Sequence, residues 1–185
     1  FLDFSDSLNY QLANKSLNQS TLKSTLPVMS FFINAGRHNP LSNILRHKDY
    51  TYNGIYINLN THPENGLNGQ AHVGNLKSGS LLLDTVHLNI RQEAEGMVMN
   101  GTIHNYTRRN PNKFEARLRT YLLASGAGIE TAFFDKDGRM GVDLGLRADI
   151  VPGGLNVKLY PEQPVIAYRG FTINKDTFIY LGRDQ

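Results

Sequence analysis

Six histidines, His38, His47, His62, His72, His87 and His104, are the side chains best suited to hold a metal ion or move a proton near neutral pH. None sits in a HExxH or HxH arrangement, and each has a different strand or loop neighbourhood. They read as scattered surface groups. Asp135-Lys136-Asp137-Gly138 opens like a calcium loop, but Arg139 stands where a third side-chain ligand is due and Leu146 where the bidentate Glu belongs. The same four residues suit a hairpin loop, with Gly138 where positive φ is needed. There is no GxSxG elbow, no Gly-rich phosphate loop and no carboxylate pair at informative spacing. With 0 cysteines, thiolate metal sites and cysteine nucleophiles are excluded. No catalytic residue, metal ligand or cofactor is therefore assigned, and the chain reads as non-enzymatic. Four Asn-X-Ser/Thr sequons, at Asn14, Asn18, Asn100 and Asn105, are expected by chance in so Asn-rich a chain.

Charge narrows the partners. The 185 residues carry 19 Lys+Arg against 16 Asp+Glu, a net +3. The one basic concentration, RRNPNKFEARLR, sets Arg108, Arg109, Lys113, Arg117 and Arg119 against Glu115. A nucleic-acid footprint needs more charge with aromatics interleaved on one face, so this stretch reads as a solvated turn and outer strand face. A hydrophobic fraction of 40% suits a folded β-rich chain. No run of about 18 apolar residues offers a membrane-crossing helix. No signal-peptide pattern is visible either. The chain opens FLDFSDS without an initiator methionine and stops just after a strand pattern, so it reads as an interior fragment with anchors elsewhere.

The elements that would position any site are strands. In DGRMGVDLGLRADIVPGG, Met140, Val142, Leu144, Leu146, Ala148 and Ile150 alternate with polar residues and glycine until Pro152-Gly153-Gly154 stops the run. Similar alternation marks Ile55, Ile57 and Leu59, then Phe114, Ala116 and Leu118, then Leu155, Val157 and Leu159. SLLLDTVHLNI changes parity near Asp84-Thr85, which predicts a bulge or bend. Asn100-Gly101 suits either a tight turn or a kink in a continuing strand. Polar hinges PEQ and NKD separate LNVKLY, PVIAYRG, FTINK and TFIYLG. About a dozen strands follow in consecutive order over residues 50–182, as a meander would place them.

One helix interrupts them, at 39–47. Asn39 supplies its N-cap, Pro40 its first position, and Leu41, Ile44 and Leu45 a small apolar stripe. Residues 1–25 are Asn/Ser-rich and read only as weak strand. Residues 1–185 form one β-rich segment without an interdomain linker. Its apolar parity admits three uses: a sandwich core, the lipid-facing wall of a barrel, or the inside of an open, curved sheet. Alternation alone does not choose among them.

The stretches NPLSNILRHKDYTYNGIYINLN, LNGQAHVGNLKSGSLLLDTVHLNIRQEAEGMVMNGTIHN and VIAYRGFTINKDTFIYLGRDQ resemble the TamB family of translocation and assembly module proteins, AsmA-like, in its Bacteroidetes form. The resemblance runs from about residue 25 to the end and rests on the texture of strands with Asn/Gly hinges. It implies a mostly β fold, a long open trough of the β-taco kind, in a periplasmic protein tethered to the inner membrane by segments outside this chain. It further implies an apolar groove for phospholipid acyl chains, with an Omp85-type outer-membrane barrel or nascent outer-membrane proteins as further partners. The expected lining is Met140, Val142, Leu144, Leu146, Ala148, Ile150, Leu155, Val157, Leu159, Phe171 and Ile173, with Leu88, Ile90 and Leu118 alongside. The helix residues Leu41, Ile44 and Leu45 would cap the groove. A dozen strands spaced about 4.8 Å apart would make it roughly 55–60 Å long. The rival expectation is a structural or interaction β-sandwich of a surface or periplasmic protein.

Overall fold

Alternating strands separated by Gly- and Asn-bearing turns fold back most directly on their predecessors, because short connections join antiparallel neighbours. The computed structural model describes residues 2–14, 16–107, 113–174 and 176–182. It begins with helices α1 (Leu2–Ala13) and α2 (Gln19–Ser24), strand β1 (Met29–Gly36) and helix α3 (Pro40–Arg46). There follow β2 (Tyr50–Thr51), β3 (Gly54–His62), β4 (Gly66–Ser78), β5 (Leu81–Gln92), β6 (Gly96–Asn105) and β7 (Phe114–Leu123). The chain continues through β8 (Gly126–Phe134), β9 (Met140–Val151), β10 (Gly154–Ile166), β11 (Arg169–Gly170) and β12 (Ile179–Gly182).

All twelve strands belong to one open antiparallel sheet, ordered β1-β3-β4-β5-β6-β7-β8-β9-β10-β11. β2 continues the line of β3 along β4, and β11 and β12 share the free edge of β10. The sheet is thus ten strands wide: β1, β3 to β10, and that shared edge line. Nine spacings of about 4.8 Å span roughly 43 Å, shorter than the expected groove because β2 shares a line with β3 and β11 with β12.

Several local expectations meet their outcomes here. Asn100-Gly101 lies inside β6, paired to both neighbours, so it is no turn. The parity change in β5 coincides with a break opposite Asn75, whose φ is 50°. There Asp84 leaves the ladder: its carboxylate accepts from Thr107 N at 2.7 Å and Thr107 Oγ1 at 2.8 Å, and its own N–H donates to Asn105 Oδ1 at 2.9 Å. The fully buried Asn105 is therefore structural despite its sequon. PEQ is not a hinge between strands, since β10 runs through it with a register shift between Tyr160 and Val165. Phe171 to Asn174 of FTINK form no strand; Phe171 N bonds Pro164 O and Ile173 N bonds Glu162 O outside any regular element, and Lys175 lies outside the described residues. Arg108 and Arg109 lie outside the described residues.

Three helices replace the single one expected. α3 is capped as read: Asn39 Oδ1 accepts from Ser42 N at 3.0 Å, and Ser42 Oγ accepts from Asn39 N at 3.1 Å. α1 and α2 occupy the region read as weak strand. α2, six residues long, cannot hold by itself. It is fixed by burial, with Leu17, Leu22 and Leu26 at most 8% exposed. Polar ties fasten it and the segment after it to one row of strand ends: Gln19 Nε2 donates to Leu122 O at 2.9 Å, Gln92 Nε2 to Gln19 Oε1 at 3.4 Å, and, beyond the helix, Thr61 Oγ1 to Pro27 O at 2.6 Å.

The β7–β8 turn gives the sharpest test of this packing. Gly126 has φ 149°, and a Cβ there would stand 2.1 Å from Ala148 O on β9. Gly126→Ala should lower unfolding free energy by about 2 kcal/mol or more, read from the urea midpoint. Gly79→Ala, also at positive φ but with nothing within 4 Å, should cost less.

Candidate functional site

In an antiparallel ladder directly paired residues share a face, so the register sorts every side chain. One row runs Ile33, Ile57, Ala71, Leu88, Gly101, Leu118, Thr131, Leu144 across eight strands. The next runs Phe31, Leu59, Gly69, Ile90, Met99, Thr120, Ile129, Leu146, Leu159. Flanking rows join Val73, Val86 and Ile103 on one side and Met97, Leu122 and Ala127 on the other. Among the described residues no charged side chain enters the two central rows, and the Val73 row meets one only at the sheet edge, where Ile166 pairs with Arg169. The opposite face carries Asn58, Gln70, Asn89, Asn100, Arg119 and Glu130 in a single row.

Among the described residues no second layer lies over the apolar face. Leu88, Ile129, Leu146 and Leu159 are 41–48% exposed, values foreign to the core of a sandwich. Among the described residues the buried hydrophobics are Leu17, Leu22, Leu26, Tyr52 and Leu83, mostly in the α1–α2 region. Near the middle of the face, small residues sink its floor. A depression of about 180 Å³ is walled by Ile57, Leu59, Leu88, Ile90 and Met99, with Gly69 and Ala71 between them. A Cβ on Gly69 would meet Leu59 Cδ1 and Asn58 O at 2.7 Å, so a side chain there would collide with the wall. Nearly all the exposed surface of the depression is carbon.

Most of the expected lining meets on this face. Val142, Leu144, Leu146, Ala148 and Ile150 project from β9, and Leu155, Val157 and Leu159 face them from β10. Leu88, Ile90 and Leu118 join them. Met140 does not. Phe133 pairs with Val142 but Phe134 pairs with Met140, so Gly141 is an extra residue that turns Met140 to the side of Phe134. That side is the polar one, where the Arg117 guanidinium lies 5.0 Å from the Phe134 ring centre. Phe171 and Ile173 fall outside the ladder; Ile173 instead borders a polar hollow with Arg147, Lys158 and Glu162. Leu41, Ile44 and Leu45 do not cap the face either, because α3 packs on β2 at one row of strand ends and leaves Ile44 63% exposed. The helix tied to apolar-face positions is α2, at the opposite strand ends, through Gln92 and Leu122, while Thr61 holds Pro27 just after it.

The polar face is laced with ion pairs. Arg119 faces Glu130 at 3.7 Å, and Asp149 bridges Arg147 at 2.5 Å and Lys158 at 2.9 Å. Burial alone would raise the Asp149 carboxyl, but hydrogen bonds from Lys158 and Arg147 outweigh it and hold it below the usual range. These pairs keep one side of the sheet wet.

The register also brings together three histidines that looked scattered. His72 on β4 stands directly opposite His87 on β5, with His72 Nδ1 3.2 Å from both ring nitrogens of His87. His104 on β6 lies one diagonal step away and bonds Glu115 Oε2 at 3.2 Å. Their signal in the sequence is symmetry: His72 and His87 are equally distant from the turn at Gly79-Ser80. Among the described residues no three or more His, Asp or Glu side chains are grouped to hold a metal ion, and no helix is long and apolar enough to cross a membrane.

Partial desolvation on the sheet surface, then the neighbouring His72 and His104, lowers the His87 pKa below its usual 6.5. Below 6.5 the unfolded chain binds a proton that folded His87 refuses, so stability drops as pH falls through that value and levels off below the depressed one. His87→Asn should flatten the melting temperature between pH 7 and about 5, before the carboxylates titrate. An unchanged slope in the variant would contradict this. Comparison with protein-family models, with curated proteins and with solved structures returns no match for the chain.

Proposed function

We propose that the apolar face is a binding surface for the acyl chains of phospholipids, and that the protein moves or holds lipid without chemical conversion. The observation that carries this reading is a continuous set of apolar rows, across the sheet, that nothing in the described chain covers. A monomeric protein rarely leaves so large an apolar patch in water unless something docks on it. Each methylene transferred from water to such a surface is worth roughly 0.8 kcal/mol, so a lipid tail lying across several strands gains affinity without any directed polar contact. Uniform rows with little polar interruption let a chain slide between adjacent positions at similar free energy. The ion-paired outer face keeps the other side of the sheet solvated.

A sandwich would need a second layer, whereas all twelve strands share one sheet. The resemblance to TamB-type proteins points the same way, towards a conduit segment in the cell envelope between inner and outer membranes, serving outer-membrane assembly.

Leu144→Glu provides the test. On an uncovered face its carboxylate reaches water, so the variant should fold, with far-UV circular dichroism like the parent. It should bind a fluorescent fatty acid at least tenfold more weakly, since the charge stands in the path of the chain. A variant that unfolds, or one that binds the probe as the parent does, would count against the reading.

A further inference from the structure

A basic hollow lies where the apolar face ends. β1 and β3 pair through Ala35 with Ile55, an apolar-face rung, and finish at Gly36 with Gly54. The residues just beyond, Arg37 and Asn53, enter a concavity of about 250 Å³ whose other walls are His38, Ser42, Arg46, Thr51 and Tyr52. α3 and β2 form its frame, and the buried Tyr52, whose hydroxyl meets Asn39, ties the two together. The helix expected as a groove cap thus serves as one wall of this hollow.

Its charge is unbalanced. No carboxylate is among its lining residues, and neither Arg37 nor Arg46 forms an ion pair with any described residue. On the polar face, by contrast, Arg117, Arg119, Arg147 and Lys158 each have a carboxylate partner. Arg37 is oriented as well as unpaired: its Nε donates to Asn53 Oδ1 at 2.6 Å, which leaves its two Nη groups available. Two guanidinium groups in one hollow, with an imidazole and the Thr51 hydroxyl beside them, match the oxygen fork of a phosphate, which arginine binds bidentately.

We infer that this hollow binds the phosphate mono- or diester of a phospholipid headgroup whose acyl chains lie on the apolar face. The inference rests on the acyl-chain reading for the tail, while the phosphate contact stands by itself. The dimensions agree. From the Ala35–Ile55 rung to Arg37 is two residues, about 7 Å of strand, which is the scale of the glycerol link between tail and phosphate. Because the arginines are exposed, binding should weaken as salt rises.

The test uses the full chain and three probes: inorganic phosphate, dihexanoylphosphatidylglycerol below its micelle concentration, and an uncharged diacylglycerol of the same chain length. The expected result is that inorganic phosphate shifts the His38 ring resonances and competes with the phospholipid. Arg37→Gln with Arg46→Gln should then weaken the phospholipid at least tenfold while leaving diacylglycerol binding unchanged. If phosphate binds but never competes with the phospholipid, the hollow serves a free anion and the headgroup assignment is overturned. If neither phosphate nor phospholipid senses the double variant, the site itself is overturned. Should diacylglycerol fail to bind the parent chain, the acyl-chain reading falls, and the phosphate titration still decides the hollow.

Discussion

The structure depends on register. Side chains alternate along a strand, so a slip of one residue would move a whole strand's apolar set to the other face. Here pairing from β3 to β9 keeps Ile57, Ala71, Leu88, Gly101, Leu118, Thr131 and Leu144 in one line. Tight turns enforce that line. Where Gly126 and Gly145 sit, a Cβ would approach the neighbouring strand's carbonyl oxygen within 2.5 Å, so backbone approaches backbone only because no side chain intervenes. Irregularities are kept to strand margins: the Asn75/Asp84 break, the Gly141 bulge and the Tyr160–Val165 shift. The middle of the apolar face is therefore uninterrupted.

An aligned apolar face has a cost when it is left open, since exposed leucines contribute little to folding. Two features offset it. The backbone ladder satisfies the strands internally, and cross-strand ion pairs such as Asp149–Lys158 and Arg119–Glu130 reinforce the solvated side. Near-complete burial of large side chains occurs at both rows of strand ends: Leu17, Leu22 and Leu26 around α2, and Tyr52, Leu83 and Asn105 at the other. The bonds among Gln19, Gln92 and Leu122 let α2 sit at its own row with the buried Gln19 and Gln92 amides paired. The basic hollow beside α3 belongs to the other row of strand ends. The two rows of strand ends differ in charge rather than in burial: the α2 end is tied by amides, and the α3 end presents Arg37 and Arg46 to water, which suits an amphiphile lying along the strands.

Much of this was legible in the alternation. Val142 through Ile150, and Leu155 through Leu159, could be given a common face from spacing because β9 and β10 are regular there. Met140 could not, since Gly141 carries no mark that distinguishes a bulge from an ordinary strand glycine. α1 and α2 were hidden for a related reason: Leu17, Leu22 and Leu26 belong to different local segments, and their burial comes from tertiary contact rather than from one helical stripe. The histidine row needed hairpin registers before residues 15 and 17 positions apart could be neighbours. Arg37 and Arg46 converge only because the loop between β1 and β3 folds into a capped helix. Spacing revealed that helix, but not what its flanks enclose.

The most direct test of an open lipid-bearing face exploits alternation itself. A photoreactive residue placed in turn at His87, Leu88, Leu146 and Arg147, in protein incubated with phospholipid vesicles, reads which face meets lipid. Capture of phospholipid at Leu88 and Leu146, with little at the adjacent His87 and Arg147, is the predicted result. Equal capture at inward and outward neighbours, or none at any of the four, would contradict the account.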